Sequence, residues 1–144
     1  MGGIVSTKKK TDPAPKEEVV EPTLTVRDIH SMVRWNKEWR LIAKKLDKWP
    51  KLIDDKDPQN GNSCIHIAAQ NGHQSLVKGL IEKGCDINAK NNSNNTALHM
   101  ASEYGYFWSA KLLMDAGADK TIKNNNGCSA HSGIEKDSAG VQTV

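Results

Sequence analysis

The sequence has few of the features that mark an enzyme or a membrane-spanning protein. No apolar run approaches the roughly 20 residues that a helix needs to cross a bilayer, so we expect no membrane span. A glycine-rich phosphate loop, a nucleophile elbow and paired carboxylates in an apolar context are also absent. We therefore predict a protein that is not an enzyme and needs no cofactor.

Cysteine is scarce, and its arrangement argues against a metal site. The three cysteines, Cys64, Cys85 and Cys128, form no metal-type pairing with the five histidines. An odd number of cysteines without a secretory apolar segment indicates a reducing compartment. We expect free thiols and an intracellular protein.

Basic residues are concentrated in the first third of the chain. Residues 1–51 contain 12 Lys or Arg and 7 Asp or Glu, whereas residues 58–144 contain 7 of each. The intervening residues 52–57 contain one basic and three acidic residues. This asymmetry predicts an anionic partner for the front of the molecule rather than for the part that follows.

An internal repeat organises the rest of the sequence. Five pairs of residues lie at one common offset of 33: His66 and His99, Ala68 and Ala101, Gly72 and Gly105, Gly84 and Gly117, and Asp86 and Asp119. A chance similarity rarely keeps its register across so many different residue types. We therefore interpret residues 57–123 as two copies of one supersecondary unit.

Local signals predict two helices in each unit and two more before them. Ser63 caps a short helix that ends at Gln70, and a second helix from His73 to about Lys83 closes at Gly84. Upstream, Thr25 and Asp28 have capping-box spacing, which starts a helix at Val26. Asn36 interrupts the apolar pattern, and another helix runs from about Lys37 until Pro50 stops it.

The repeated segments, Gly61 to His73 and Asn94 to Ala101, resemble the ankyrin repeat with its T-P-L-H-x-A signature. Both lack the proline of that signature, since Cys64 and Ala97 take its place. The resemblance implies an all-α fold, a short ankyrin-repeat solenoid of stacked helix-turn-helix units with hairpin-like turns. It divides the chain into a disordered basic tail (1–23), an N-terminal capping helix pair (24–56), two ankyrin repeats (57–90 and 91–123), a C-terminal half-repeat cap (124–136) and a frayed tail (137–144).

The resemblance also implies roles for particular residues. His66 and His99 are expected to be structural, because this histidine of the ankyrin repeat hydrogen-bonds across the turn and ties neighbouring repeats together. The loop tips and first helices of ankyrin proteins form a concave binding face. On that basis we predict weaker contacts to a partner protein from a polar set: Asn60, Asn62, Asn92, Asn94, Gln70 and Glu103. The asparagines are also explained by turn chemistry alone.

An aromatic cluster distinguishes the second repeat from the first. Tyr106, Phe107 and Trp108 occupy the places of His73, Gln74 and Ser75, while small residues replace Leu76 and Val77. One interpretation is compensation, in which an aromatic ring fills the space that the small residues leave. The other is an exposed surface, formed with Tyr104, that anchors a partner protein.

The N-terminus fits the pattern for N-myristoylation, in which Gly2 receives the acyl chain and Ser6 completes the motif. Lys8, Lys9 and Lys10 follow, and they would strengthen a single acyl anchor by contacting anionic lipid. A plain disordered tail is the alternative. No cysteine precedes Cys64 to carry a second acyl chain.

The predicted front helices are themselves basic. Residues 34–51 contain seven Lys or Arg and two acidic residues, with three tryptophans among them. A solvated outer face explains this composition, and so does a contact with anionic headgroups or a calmodulin-type target helix. We do not expect nucleic acid, because the stretch contains no recognition motif.

These observations favour a monomeric adaptor. Its ankyrin stack would bind a partner protein, and an acyl chain with lysines would hold it at the cytoplasmic face of a plasma, ciliary or flagellar membrane. Two alternatives remain open: a soluble inhibitor or cytoskeletal assembly subunit without a lipid anchor, located in the cytoplasm or cytoskeleton, and a basic switch between membrane and calmodulin.

Overall fold

A computed structural model describes residues 23–130, which fold into six α-helices and one turn of 3₁₀ helix. The predicted lipidation site Gly2 and the lysines Lys8, Lys9 and Lys10 lie outside the described residues, as does everything after Ala130. The helices are α1 (Val26–Arg34), α2 (Trp39–Lys48), α3 (Cys64–Gln70), α4 (Gln74–Glu82), α5 (Ala97–Glu103) and α6 (Phe107–Asp115), and the 3₁₀ turn is Pro50–Ile53.

The first helices of the units begin with the same local device. In α1 the side chain of Thr25 accepts a hydrogen bond from the Asp28 backbone, and the Asp28 carboxylate accepts one from the Thr25 backbone. Ser63 and Thr96 open α3 and α5, with a histidine side chain where α1 has Asp28. Each box satisfies backbone N–H groups that the start of a helix leaves without partners.

The helices pack as two rows. The first helices α1, α3 and α5 contact one another in that order, and so do the second helices α2, α4 and α6. Each first helix also packs against the second helix of its own unit. The all-α solenoid predicted from the sequence is therefore confirmed, and the described residues contain one isolated β-bridge, Lys123 to Ser129, but no strand.

The core runs without interruption through both rows. The predicted apolar stripe of α4 is buried at Leu76, Val77 and Leu80, and Ile81 is half-buried. Ile42 and Leu46 of α2 are buried beside it. Since each helix pair shelters its apolar side against the next pair, no pair could bury that side alone.

Some predicted helix ends coincide with the observed ones, such as the start of α1 at Val26 and the end of α3 at Gln70, and others differ by one or two residues. The second helix begins at Trp39 rather than Lys37, because Asn36 adopts a left-handed backbone conformation (φ 50°) and residues 37 and 38 lead into the helix. Among the described residues, no helix is both long and apolar enough to span a membrane.

Candidate protein-binding surface

Four aromatic side chains cluster on the outside of the second repeat. Tyr104 ends α5, Tyr106 precedes α6, and Phe107 and Trp108 form its first turn. Their exposed fractions are 51% for Tyr104, 39% for Tyr106, 54% for Phe107 and 59% for Trp108. We call these four residues the aromatic surface.

The aromatic rings point outward because smaller neighbours take the core positions of α6. Ser109 and Ala110 are 1% and 0% exposed, and Leu113 one turn later is fully buried. The packing interpretation, in which a ring fills the space above these small residues, therefore does not hold for Phe107 or Trp108. Exposed rings of this size are uncommon on a small protein unless a partner covers them.

Contacts among the rings give the aromatic surface a defined geometry. Phe107 and Trp108 meet edge to face with their centroids 5.6 Å apart. The Nζ atom of Lys111, one turn along α6, lies 5.5 Å from the centre of the Trp108 ring. The surface thus presents apolar area beside one positive charge.

The aromatic surface also reaches the first repeat. The Tyr106 ring lies directly over Gly72, where a Cβ atom would come within 2.5 Å of the ring. The Gln70 side chain donates a hydrogen bond of 3.4 Å to the Tyr104 hydroxyl. Two predicted contact residues, Gln70 and Tyr104, are therefore brought together across the repeat boundary. Glu103 is exposed beside them.

The predicted asparagines mainly hold the loops to one another. Asn62 is buried, and its side-chain oxygen accepts a 2.9 Å hydrogen bond from the Asn91 side chain, so it is unavailable to a partner. The prediction that Asn62 contacts a partner is therefore corrected. To reach a partner, Asn62 would have to break its bond to Asn91, and leaving a buried amide unpaired is costly.

The three exposed asparagines are engaged as well. Asn60 accepts a hydrogen bond from the Asn62 backbone, and Asn92 donates to the Gln59 carbonyl. Asn94 has a left-handed backbone (φ 58°) and donates to the Asn125 side chain at 2.7 Å. These contacts favour the turn-chemistry interpretation of the loop tips.

His66 and His99 have the contacts that were expected of structural histidines. The Nδ1 atom of His66 accepts a hydrogen bond from the Ser63 backbone, so Nε2 carries the proton and donates to the Asn95 carbonyl at 2.9 Å. Burial lowers the pKa of His66, which keeps this neutral tautomer. His99 repeats the arrangement with Thr96 and the Cys128 carbonyl.

Neither the cysteines nor the clefts of the described region suggest chemistry. Burial raises the pKa of the Cys64 and Cys85 thiols to about 12, so both remain protonated and weakly nucleophilic. No group of three potential metal ligands occurs in residues 23–130. An open polar cleft of about 330 Å³ lies between His99 and Asn124, beside Ala130, where the described chain ends.

Two packing features were missed by the sequence analysis. Gly79 of α4 lies under the Trp39 ring of α2, so close that a Cβ atom would come within 2.3 Å of it. His30 of α1 is 2% exposed, and neither ring nitrogen has a hydrogen-bond partner among the described residues. A glycine in the middle of a predicted helix was the one signal available for the first contact.

The comparisons with known proteins agree with the geometry. The family model for ankyrin repeats in three copies matches residues 36–124. An ankyrin repeat protein of Rickettsia bellii (strain RML369-C) is 39% identical over 51 residues, which cover 35% of this chain and 7% of that protein. The ankyrin repeat domain of Bcl-3, a member of the IkappaB protein family, matches with a TM-score of 0.67 and 27% identity. That match covers 74% of this chain and 46% of the Bcl-3 chain, so this chain spans less than half of either relative.

Proposed function

This chain belongs to the ankyrin-repeat family of protein-interaction domains, and we propose that it is an adaptor that binds a partner protein through the aromatic surface. The observation that carries the proposal is the exposure of Phe107 and Trp108, which are 54% and 59% accessible on helix α6. The proposal assigns no reaction to the protein.

The energetics of protein interfaces support this choice. Most of the binding energy of an interface comes from a few central residues, and aromatic side chains are prominent among them. A typical interface covers about 800 Å² on each partner, so four half-exposed rings supply its centre and need polar neighbours around them. Gln70, Glu103 and Lys111 are placed to provide that rim. A complementary partner would present an apolar pocket with a carboxylate facing Lys111.

The stack also reduces the entropic cost of binding. Phe107 and Trp108 lie in a helix that packs on α4 and α5, and the two rings already contact each other. Side chains that are ordered before binding lose less conformational entropy when a partner covers them. A partner with a complementary surface can therefore bind these rings without a rearrangement of the scaffold.

The test is affinity purification with the full chain and mass spectrometry of the proteins retained. The double variant Phe107→Ala/Trp108→Ala should lose a specific partner by more than about 30-fold, because each truncation of an aromatic anchor commonly costs about 2 kcal/mol or more. The matched control is Trp35→Ala/Leu41→Ala, which removes two exposed apolar side chains of 72% and 51% exposure elsewhere. Full retention of the partner by the first variant would contradict the proposal, provided that thermal unfolding confirms that both variants are folded.

We further propose that the adaptor is held at the cytoplasmic face of a membrane by an acyl chain on Gly2, assisted by Lys8, Lys9 and Lys10. What supports this is the residue pattern of the N-terminus, since these residues lie outside the described region. One myristoyl chain binds a bilayer only weakly, with an association constant of about 10⁴ M⁻¹, so the lysines would supply the second signal that stable anchoring needs.

Fractionation of cells tests the anchor independently of partner binding. Incorporated myristate should be lost and membrane association should be weakened in Gly2→Ala, while the aromatic variant keeps both. A protein that stays in a detergent-insoluble fraction regardless of Gly2 would instead favour an assembly subunit. A free Gly2 amine in the native protein, seen by mass spectrometry, would rule the anchor out.

A further inference from the structure

A second exposed surface lies on helix α2, away from the aromatic surface. Its residues recur every three or four positions, so they share one side of the helix: Arg40, Leu41, Lys44, Lys45 and Lys48. All five are exposed, while Ile42 and Leu46 on the opposite side are buried in the core. We call these five residues the basic face.

Ion pairs among the described residues leave the charges of Arg40 and Lys44 on the basic face uncompensated. Asp47, the acidic residue within α2, forms an ion pair with Lys83, which directly follows α4. The only other ion pair within residues 23–130 joins Lys78 and Glu82. Arg40 and Lys44 consequently make no ion pair with any carboxylate in this part of the chain.

Apolar side chains accompany these charges at both ends and in the middle. Trp35, the C-cap of α1 at the turn that leads to α2, is 72% exposed, and Leu41 of α2 is 51% exposed. Trp49, just after α2, lies against Lys48 and Lys45, whose Nζ atoms are 4.7 and 5.8 Å from its ring centre. Within residues 23–130, Trp35 and Leu41 are the two exposed large hydrophobic side chains that do not belong to the aromatic surface.

The position of α2 leaves this side of the helix accessible. It is the first helix of its row, and its main contacts are with α1, α4 and the 3₁₀ turn. Its buried side faces those neighbours. The basic face therefore points outward from the stack, which suits a broad, flat binding partner.

We propose that the basic face binds the surface of an anionic membrane, with α2 lying parallel to the bilayer. Lys and Arg attract anionic headgroups, tryptophan favours the headgroup region, and an exposed leucine can enter the boundary of the acyl chains. A nucleic acid would use the charges but would leave Leu41 without a role. The combination of charge with Trp35 and Leu41 is what favours lipid.

Binding here is independent of the acyl chain proposed for Gly2. Each Lys or Arg close to an anionic surface increases the affinity about fivefold, so removing two of them should weaken binding about 25-fold. The contact would also orient the stack. An acyl chain on a tail limits only the distance between the stack and the membrane, whereas a second contact on α2 determines which side of the stack faces the membrane.

The test uses the full chain produced without an N-myristoyltransferase, so that no acyl group is present. Sedimentation with vesicles compares phosphatidylcholine alone with phosphatidylcholine containing phosphatidylserine. The key variant is Arg40→Gln/Lys44→Gln, and the matched control is Lys120→Gln/Lys123→Gln, which removes the same charge from exposed positions that follow α6. Circular dichroism verifies that each variant is folded.

Binding that needs phosphatidylserine, falls about 25-fold in the α2 variant and is unchanged in the control would support the proposal. Trp35→Ala should also weaken binding to the same vesicles. An equal loss in both double variants would overturn it, because net charge alone would then explain the binding. Absence of binding would overturn it too, and so would an α2-dependent affinity that is higher for an RNA homopolymer or for calcium-loaded calmodulin. The Gly2 proposal is unaffected by any of these results, since its own test uses the acylated protein.

Discussion

The two full repeats have nearly the same backbone but use one position in different ways. His73 and Tyr106, 33 residues apart, each precede the second helix of their repeat, and each contacts the end of the preceding repeat's first helix. The His73 ring forms a 3.1 Å hydrogen bond with the Arg34 carbonyl, whereas the Tyr106 ring packs against Gly72. The role in joining repeats is thus shared, while its chemistry is not.

The next two residues occupy equivalent positions in the two repeats but differ in chemical character. Gln74 and Ser75 are polar and exposed, and Phe107 and Trp108 stand in their places. Because these positions face outward in both repeats, aromatic residues there add nothing to the core. The comparison teaches that the repeated landmarks maintain the fold, and a departure at an outward position is what supports the proposed binding surface.

The largest expected effect on stability comes from replacing the two structural histidines, one in each repeat. His66→Ala leaves the Ser63 N–H and the Asn95 carbonyl without partners in a fully buried site, and it should cost about 3 kcal/mol of unfolding free energy. His99→Ala should cost about half as much, because His99 lies nearer the surface, at 5% exposure. Urea denaturation measures both values.

An equal loss of unfolding free energy in the two variants would contradict this difference and show that both histidines stabilise their repeats to the same extent. His66→Asn provides a control, since its shorter side chain can accept from the Ser63 backbone but cannot reach the Asn95 carbonyl. It should recover only part of the loss.

A second prediction separates backbone strain from contact with the aromatic surface. Gly72 and Gly105 occupy equivalent positions with left-handed backbones (φ 68° and 73°), so alanine strains both by about 1 kcal/mol. Only at Gly72 does the new Cβ meet the Tyr106 ring, whereas nothing lies within 4 Å of that position at Gly105. Gly72→Ala should therefore cost about 1–2 kcal/mol more than Gly105→Ala in chemical denaturation.

Adding Tyr106→Ala to Gly72→Ala tests this explanation. The double variant should lose the extra cost of the clash, so the two changes should be non-additive. Strict additivity would mean that the ring has room to move away and that the two repeats are joined less tightly here.

The smallest expected effect is a dependence of stability on pH. When the capping boxes of the first helices are aligned, His30 of α1 occupies the position that Ala68 and Ala101 have in α3 and α5. Burial lowers the pKa of His30, and the nearby Asp55 backbone partly opposes this shift. Burial lowers the pKa of His66 as well. Below the ordinary value of 6.5 the unfolded chain therefore binds more protons than the folded chain, and stability falls with acidification.

His30→Leu should reduce this slope, which for one histidine is at most about 1.4 kcal/mol per pH unit. It should not lower stability near neutral pH, because the two ring nitrogens that it removes have no partners within the described residues. Denaturation curves measured from about pH 7.5 down to about pH 5.5 give the slope. An unchanged slope would show that His30 stays uncharged in both states, or gains a partner on protonation.

Much of the fold follows from local chemistry. Thr25 with Asp28, Ser63 and Thr96 start helices because their side chains satisfy free backbone N–H groups, and the apolar stripe of α4 indicates which side is buried. Boundaries such as the start of α2 were less accurate. A residue beside a left-handed turn can belong to the turn or to the helix at nearly equal free energy, so a helix boundary there is hard to predict.

The candidate site was only partly predictable. Asn60 and Asn62 are the same residue two positions apart, yet one is exposed and the other is buried against Asn91. Trp39 and Trp35 differ in the same way, since Trp39 packs on Gly79 while Trp35 is exposed. No local signal separates such pairs, because burial depends on which segment from another repeat lies opposite.

By itself the sequence determined the repeat, the starts of the first helices and the family, because each depends on residues within one 33-residue unit. Only the tertiary structure decided that Phe107 and Trp108 are exposed, that His30 is buried, and that the charges of α2 share one open face. The physical reason is that exposure depends on the neighbouring units as well as on the residue itself. Those neighbours are defined only once the helix pairs have stacked.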